Sequence, residues 1–200
     1  LKGFHCWGMD VVHKFIGMFA FALYDKAARK VYLVRDRAGV KPLYYYYKNE
    51  ILLFGSELKA LYAHERFEKN IKTSSLALFL HYSYIPGSHS IFENTSKLLP
   101  GHYLELDLAN GQQKTHTYWD VNHFYNQPLL NISETDAVNE TERLLKSAYE
   151  YRMVADVPVG VFLSGGYDSS SVAALLQHGR TEKLKTFTIG FHEIAYNEAK

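Results

Sequence analysis

The first half of the chain alternates short apolar runs with polar turns, a pattern typical of antiparallel sheet. Aromatic and β-branched residues dominate 19–24 and 31–34, and the polar link between them indicates a hairpin. A second hairpin is expected from the runs 43–47 and 51–54, joined by Lys48-Asn49-Glu50. The pattern therefore predicts paired antiparallel strands across this region.

Two short helices are expected after these hairpins. Ser56 is placed to cap a helix over residues 57–62, and Thr73 is placed to cap a second helix that runs through Leu80. The sequence Ile85-Pro86-Gly87 ends that second helix, because proline cannot continue a helix and glycine favours a turn.

A third hairpin is predicted further along. Leu104, Leu106 and Leu108 alternate with more polar residues, as expected of a half-buried strand. Asn110-Gly111 is a strong turn signal, and residues 114–119 supply the returning strand.

The pattern changes after residues 122–131, a polar and aromatic stretch that we interpret as a linker. Ser133 and Asp136 resemble a capping box at the start of a helix that reaches about Met153. The apolar positions of that helix, Ala137 and Leu144 among them, fit one face.

A βαβ unit is predicted next. The continuous apolar run 157–163 is typical of a strand buried on both faces of a parallel sheet, and 186–191 is a second such run. Between them lie a glycine-containing loop, 164–169, and a helix, 170–177.

Composition narrows the function classes. The chain has 200 residues and is 47% hydrophobic, which supports a packed core and excludes disorder. Lysine and arginine total 22 against 21 acidic residues, so nucleic acid is not an expected partner. No apolar run approaches roughly 18 residues, so no membrane segment is expected. The single cysteine, Cys6, excludes an internal disulfide.

The loop after the first buried strand carries the most informative chemistry. Gly165 and Gly166 let successive backbone N–H groups face an anion at the start of a helix. Ser164 and Ser169 add hydroxyl donors, and Asp168 is placed to hold a divalent cation that bridges phosphate oxygens. The loop lacks the lysine of an ordinary P-loop. A plain glycine-serine turn is the alternative, which the strand-to-helix position disfavours.

Residues 156–170, Asp-Val-Pro-Val-Gly-Val-Phe-Leu-Ser-Gly-Gly-Tyr-Asp-Ser-Ser, resemble the pyrophosphate loop of the glutamine-hydrolysing asparagine synthetases, in the ATP pyrophosphatase superfamily. Residues 17–25, 35–45, 56–61 and 98–102 are similar, in the same order, to the later part of that family's N-terminal glutaminase domain. The resemblance covers nearly the whole chain.

The resemblance implies a fold of two partial domains. Residues 1–121 would belong to an α+β, antiparallel-sheet, Ntn-hydrolase-like glutaminase domain, and residues 133–200 to an α/β, parallel-sheet PP-loop synthetase domain. Residues 122–132 would link them. A homodimer of the full-length form and a cytoplasmic location are expected.

The resemblance also implies a reaction. Glutamine releases ammonia, ATP converts the side-chain carboxylate of aspartate into an acyl-adenylate with loss of pyrophosphate, and ammonia then displaces AMP. The substrates would be aspartate, glutamine and ATP, with Mg²⁺ as cofactor. The residues carried over by motif are Leu163 and Ser164 for ATP, Gly165, Gly166 and Ser169 for the phosphates, Asp168 for the metal, and Ile189 for adenine through its backbone.

The family's glutaminase nucleophile is an N-terminal cysteine, whereas this sequence starts at Leu1. Cys6 is internal, and its neighbours Phe4, His5 and Trp7 favour ordinary packing. We therefore expect no catalytic residue in this chain, which is interpreted as a fragment that is inactive alone. Its last residues, 196–200, are expected to start a helix.

Two further expectations concern charge and substrate. Arg35, Asp36, Arg37 and Lys41 are expected to form loop salt bridges rather than a substrate-binding cluster. Related amide-forming enzymes with another acceptor, such as β-lactam synthetases or peptide- and polysaccharide-modifying amidotransferases, stay open as alternatives. An inactive nucleotide-binding module is a third, which the intact Asp168 disfavours.

Overall fold

The computed structural model describes residues 1–193 and 197. The chain divides into two compact units, Leu1–Gln127 and Pro128–Lys200. The helix expected at 196–200 lies, Asn197 apart, outside the described residues.

The first unit contains, in chain order, α1 (Lys2–Trp7), a 3₁₀ helix (Gly8–Lys14), β1 (Ala20–Asp25), β2 (Lys30–Arg35), β3 (Tyr44–Lys48), β4 (Ile51–Gly55), α2 (Leu58–Tyr62), α3 (Thr73–Tyr82), β5 (Thr95–Lys97), β6 (His102–Asp107), β7 (Gln113–Thr117) and α4 (Val121–Tyr125). The second unit contains α5 (Glu134–Arg152), β8 (Val161–Phe162), α6 (Tyr167–Gln177) and β9 (Thr186–Phe187).

An antiparallel sheet with strand order β1-β2-β6-β7 forms the centre of the first unit. Its two hairpins confirm the predicted first and third hairpins. Leu33 on β2 lies directly opposite Leu104 on β6, and both side chains are buried with Leu43 and Leu98. Alternating leucines thus bury one face of β6, as the period of two predicts.

A second antiparallel sheet has the order β4-β3-β5 and confirms the predicted second hairpin. Asn49 and Glu50 both have positive φ, 48° and 61°, as a two-residue hairpin turn between twisted strands requires. Tyr46 on β3 is buried against Leu61 and Phe67. The aromatic strand therefore anchors α2 to this sheet.

The predicted helix caps in this unit are wrong. Glu57 is the N-cap of α2 and Lys72 is the N-cap of α3, and neither Ser56 nor Thr73 caps with its side chain. Thr73 is already the first helical residue, because the amide of Lys72 donates to the carbonyl of Ile91 at 2.8 Å and holds the chain extended up to that point. Ser56 follows β4 directly, one residue too early to cap α2.

Arg35 is buried and binds three backbone carbonyls. Its Nε donates to Lys41 at 2.9 Å, Nη1 to Leu98 at 2.6 Å and Nη2 to Gly39 at 2.7 Å. Burial lowers the pKa of its guanidinium, and the neighbouring carboxylate of Asp36 acts in the opposite direction and raises that pKa. The carbonyls therefore hold a desolvated cation inside the loop between β2 and β3.

Asp36, 1% exposed, also binds backbone. Its carboxylate accepts from the amides of Phe19 at 3.3 Å, Val40 at 2.9 Å and Lys41 at 2.9 Å. Within the described part of the chain, neither Arg35 nor Asp36 forms an ion pair with a neighbour. The expected salt bridges are therefore wrong, because the loop folds around backbone amides and carbonyls instead.

Arg37 and Lys41 were also expected to form salt bridges, and both instead take part in hydrogen bonds with main-chain groups. The Arg37 guanidinium donates to the carbonyls of Phe15 at 2.5 Å and His13 at 3.0 Å. Lys41 enters the loop through its amide and carbonyl. Arg37 thus ties the loop to the 3₁₀ helix through main-chain contacts.

Other parts of the first unit differ from expectation. Cys6 is exposed on α1, a helix with no buried residue, so the expected packing of this thiol is wrong. The interpreted linker starts with α4, whose N-cap Asp120 accepts from the amide of Asn122 at 2.9 Å. None of the described helices is long and apolar enough to cross a bilayer.

In the second unit, Ser133 caps α5 as predicted, since its Oγ accepts from the amide of Asp136 at 3.1 Å. β8 and β9 pair in parallel with α6 between them, which confirms the order of the βαβ unit. Both strands are shorter than expected, and α6 begins at Tyr167, three residues before the predicted start.

The expected burial of the two strands is wrong for the described residues. The side chains of Phe162 on β8 and Phe187 on β9 are 73% and 56% exposed. In the described part of the chain the parallel sheet has these two strands alone, and the exposed phenylalanines show that it is not buried on both faces.

Candidate functional site

Leu163 begins the loop that joins β8 to α6, and its amide and carbonyl are both bound by residues at the end of β9 or just after it. Its amide donates to the carbonyl of Phe187 at 2.8 Å, which continues the parallel pairing by one residue. Its carbonyl accepts from Oγ1 of Thr188 at 2.8 Å. The residue that precedes the predicted phosphate loop is therefore fixed before the chain turns.

The turn itself depends on one glycine. Gly165 has φ of +81°, a conformation that residues with a Cβ rarely adopt. Gly166 is the N-cap of α6 with φ of −72°, and a Cβ added there would lie 3.6 Å from Oγ of Ser164, an ordinary contact. Of the two glycines, only Gly165 therefore has a backbone conformation that other residues rarely adopt.

Ser164 and Ser169 are brought together across the loop. Their hydroxyl oxygens are 3.1 Å apart, and Oγ of Ser169 accepts from the amide of Ser164 at 3.2 Å. The same hydroxyl lies 3.2 Å from the carbonyl of Gly166, to which it donates. These bonds are at the long end of the normal range. A charged phosphate oxygen is a stronger acceptor for the same donors, because charge strengthens a hydrogen bond.

Asp168 lies in the first turn of α6, with its side chain exposed and without a hydrogen bond to any described residue. The N-terminal end of a helix carries partial positive charge, which favours anions in this position. Among residues 1–193 and 197, no group of three His, Cys, Asp or Glu side chains is placed to hold a metal ion.

A magnesium ion is nevertheless compatible with this loop. Mg²⁺ commonly takes one or two carboxylates and completes its shell with waters and phosphate oxygens. Asp168 fits that requirement as a single carboxylate beside the loop amides. The donor set thus suits a metal–phosphate complex rather than a metal site made by protein alone.

Ile189, the predicted adenine contact, lies two residues beyond the end of β9 and is 62% exposed. The predicted strand 186–191 ends at Phe187, so Ile189 follows the strand rather than belonging to it. Since β8 and β9 are parallel, Ile189 and Leu163 both follow the carboxyl ends of their strands. Ligands in open α/β sheets bind at that edge.

Sequence reasoning missed Thr188. A threonine near the end of a strand is ordinary, and its partner is a backbone carbonyl 25 residues away. Only the pairing of β8 with β9 places the two groups together.

Comparison with known proteins agrees with both parts of the chain. A family model described as a glutamine amidotransferase domain matches residues 1–119, and an asparagine synthase family model matches residues 140–200. The chain belongs to the glutamine amidotransferase domain family, and its antiparallel sheets lie in the matched region.

Two of three similar relatives are named as asparagine synthetases and the third as an amidase. A putative glutamine-hydrolysing asparagine synthetase of Methanocaldococcus jannaschii is 38% identical over 99% of this chain and 38% of its own length. Glutamine-hydrolysing asparagine synthetase 2 of Bacillus subtilis is 36% identical over 91% of this chain and 25% of its own length. Amidase chry2 of Gibberella zeae is 36% identical over 86% of this chain and 25% of its own length. The chain thus spans well under half the length of these relatives.

Proposed function

We propose that the protein carrying this chain makes asparagine from aspartate, with glutamine as the nitrogen donor and ATP cleaved to AMP and pyrophosphate. Residues 1–121 would belong to the glutamine-hydrolysing domain and residues 133–200 to the start of a PP-loop synthetase domain. The names of the relatives from M. jannaschii and B. subtilis support this assignment.

The segment from Leu163 to Ser169, a loop followed by the first turn of α6, is the observation that carries the proposal. It follows the carboxyl end of a parallel strand, turns at a left-handed glycine and enters a helix of 11 residues. A loop with a helix N-terminus of this kind binds phosphate through backbone N–H groups and the helix dipole. The exposed Asp168 beside it fits a metal–phosphate complex rather than a closed turn.

Each loop residue then has a role. Leu163 and Ser164 contact ATP, while Gly165, Gly166 and Ser169 surround the phosphates. The Asp168 carboxylate holds Mg²⁺, which when bound offsets negative charge on the phosphate oxygens. Ile189 contacts adenine through its backbone.

The chemistry explains why such a loop is needed. The oxygen of a carboxylate is a poor leaving group, and forming a bond from that oxygen to the α-phosphorus of ATP expels pyrophosphate. Ammonia then attacks the carbonyl carbon, the bond from that carbon to the AMP oxygen breaks, and one proton is released. Donors from the loop stabilise the charge that develops on the departing pyrophosphate.

A related reaction with a different carboxylate is the second candidate. The similarity to amidase chry2 favours it, because that relative carries a different name at comparable identity. ATP is a substrate of both candidates, and the carboxylate acceptor distinguishes them.

Product analysis of the full-length protein tests the proposal. With ATP, aspartate and glutamine, we expect asparagine, AMP and pyrophosphate in equal amounts. The Asp168→Asn variant should lose AMP formation by at least about 100-fold and keep glutamine hydrolysis, since several kcal/mol of metal-dependent stabilisation is removed. Glu182→Gln removes another exposed carboxylate of the same unit and should leave activity unchanged. Release of ADP and phosphate would contradict the mechanism, and AMP formation only with another carboxylate would favour the second candidate.

A further inference from the structure

We infer that Thr188 is a positioning residue of the nucleotide site, which sets the orientation of the phosphate loop and its spacing from the adenine-binding strand end. This inference rests on the function proposed above. Its starting point is the hydrogen bond of 2.8 Å from Oγ1 of Thr188 to the carbonyl of Leu163.

The bond orients the peptide group between Leu163 and Ser164, whose N–H is a candidate phosphate donor. A peptide unit is planar and trans, so its carbonyl and the following N–H point in opposite directions. When Thr188 holds the carbonyl of Leu163, it therefore also orients the N–H of Ser164. That N–H points at Oγ of Ser169 at 3.2 Å, into the loop where phosphate would lie.

The same bond extends a short strand pairing. β8 and β9 are paired over two residue positions, Val161 with Thr186 and Phe162 with Phe187. The amide of Leu163 adds one further backbone bond to Phe187. Beyond that bond, the side chain of Thr188 donates to the carbonyl of Leu163. Without that side chain, the strand ends keep the backbone bond of Leu163 but lose the bond from Thr188, which lies further toward the edge where the nucleotide would bind.

Thr188 also stands next to Ile189, the proposed adenine contact. A single side chain thus connects the strand end that contacts the base with the loop that contacts the phosphates. Since the ribose fixes the span between base and phosphates, the distance between these two strand ends sets how well ATP fits. Thr188 is itself exposed, so its hydroxyl is not needed to fill a core.

The experiment compares three variants of the full-length protein. Thr188→Val keeps the shape and removes the hydroxyl, Thr188→Ser keeps the hydroxyl, and Thr186→Val removes an exposed hydroxyl on β9 that makes no hydrogen bond to a described residue. The readouts are the Kd of α,β-methylene-ATP, whose α–β bond cannot be cleaved, the KM values for ATP and glutamine, and the Tm.

For Thr188→Val, we expect Kd and the KM for ATP to rise about fivefold, the range that one lost hydrogen bond gives. The KM for glutamine should stay unchanged, and Tm should fall by no more than about 2–4 °C, the shift that about 1 kcal/mol produces. Thr188→Ser and Thr186→Val should stay within about twofold of wild type. The inference is wrong if Thr188→Val binds the analogue like wild type, or if either other variant is equally impaired.

These outcomes separate the inference from the proposed function. A wild-type protein that forms AMP while Thr188→Val binds normally overturns only the role of Thr188. A wild-type protein that binds the analogue without forming AMP overturns the reaction, while the comparison of Kd values still decides the positioning role. A wild-type protein that binds no analogue overturns both.

Discussion

The phenol of Tyr118 donates a hydrogen bond of 2.6 Å to the backbone carbonyl of Arg35, 83 residues earlier in the chain. This contact ties the segment after β7 to the end of β2, at the point where the chain enters the loop held by Arg35 and Asp36. The burial needed for this contact raises the pKa of Tyr118 to about 12, although the nearby Arg37 opposes the shift.

Stability of the first unit should fall at alkaline pH because of Tyr118. Its pKa in the folded chain lies above the unfolded value of 10, so its contribution is intact below pH 10 and is lost as pH rises through about 12. Urea unfolding of the full-length protein between pH 8 and 11.5 should show a steeper loss of stability for wild type than for Tyr118→Phe.

The comparison is made between these two proteins because burial also raises the pKa values of Tyr32 and Tyr103. Those tyrosines contribute equally to wild type and variant, so the difference isolates Tyr118. At pH 8 the variant should be less stable by about 1 kcal/mol, the net value of one hydrogen bond. Identical pH profiles would contradict the prediction.

Arg35→Lys should destabilise the first unit strongly although it keeps the positive charge. A guanidinium donates in three fixed directions at once, to Lys41, Leu98 and Gly39, whereas an ammonium on a flexible stem does not reproduce that fork. We expect a loss of about 2–3 kcal/mol in chemical unfolding. Arg66→Lys, an exposed control, should change stability by less than about 0.5 kcal/mol, and equal effects would refute the argument.

Two glycines with the same backbone conformation should respond differently to alanine. Gly101 and Gly87 have φ of +68° and +61°, but a Cβ on Gly101 would lie 2.2 Å from the carbonyl oxygen of Trp119, while one on Gly87 would meet nothing within 4 Å. Gly87→Ala should cost about 1 kcal/mol, the strain of a left-handed residue. Gly101→Ala should cost more than about 3 kcal/mol or prevent soluble expression, because backbone must move. Tm and soluble yield measure both, and similar values for the pair would be evidence against the clash.

A second pair of glycines distinguishes the effect of backbone strain on stability from the effect of the loop on ATP binding. Gly165 and Gly179 have φ of +81° and +82°, one in the proposed phosphate loop and the other just after α6. Both alanine variants should lose about 1 kcal/mol of stability. Only Gly165→Ala should raise the Kd of ATP, by at least about tenfold, because only its turn orients the loop donors. If Gly179→Ala weakens ATP binding as much, the effect is general and the loop assignment loses its support.

Most of the elements that the sequence predicted correctly are defined by patterns of neighbouring residues. Alternating leucines placed β6, and Ser133 with Asp136 placed the start of α5, because both signals lie within a few residues of the structure they define. Leu108 shows the limit. It was expected on the buried face of β6, yet it is 41% exposed, because the strand ends at Asp107 and the chain turns.

Contacts with backbone were the part that the sequence did not predict. Neighbouring opposite charges at Arg35 and Asp36 indicated salt bridges, whereas the folded loop offers carbonyls and amides that have no counterpart in side-chain identity. The contact of Thr188 was not predicted for the same reason, since its partner is the backbone carbonyl of Leu163. The sequence did predict that Ser164, Gly165 and Ser169 lie close together between β8 and the start of α6, because the spacing of glycine and serine reflects local backbone geometry. Their role in binding phosphate stays a prediction.

The loop between β2 and β3 is held by two charged side chains that bind only main-chain groups of their partners. The carbonyls of Lys41 and Leu98 accept from Arg35 whatever side chain stands at those two positions. Arg35 and Asp36 are therefore not a compensating pair, and exchanging the two charges would not restore the loop. The exposed side chain of Lys41 can therefore change while Arg35 and Asp36 stay fixed, and the loop should keep its shape in molar salt.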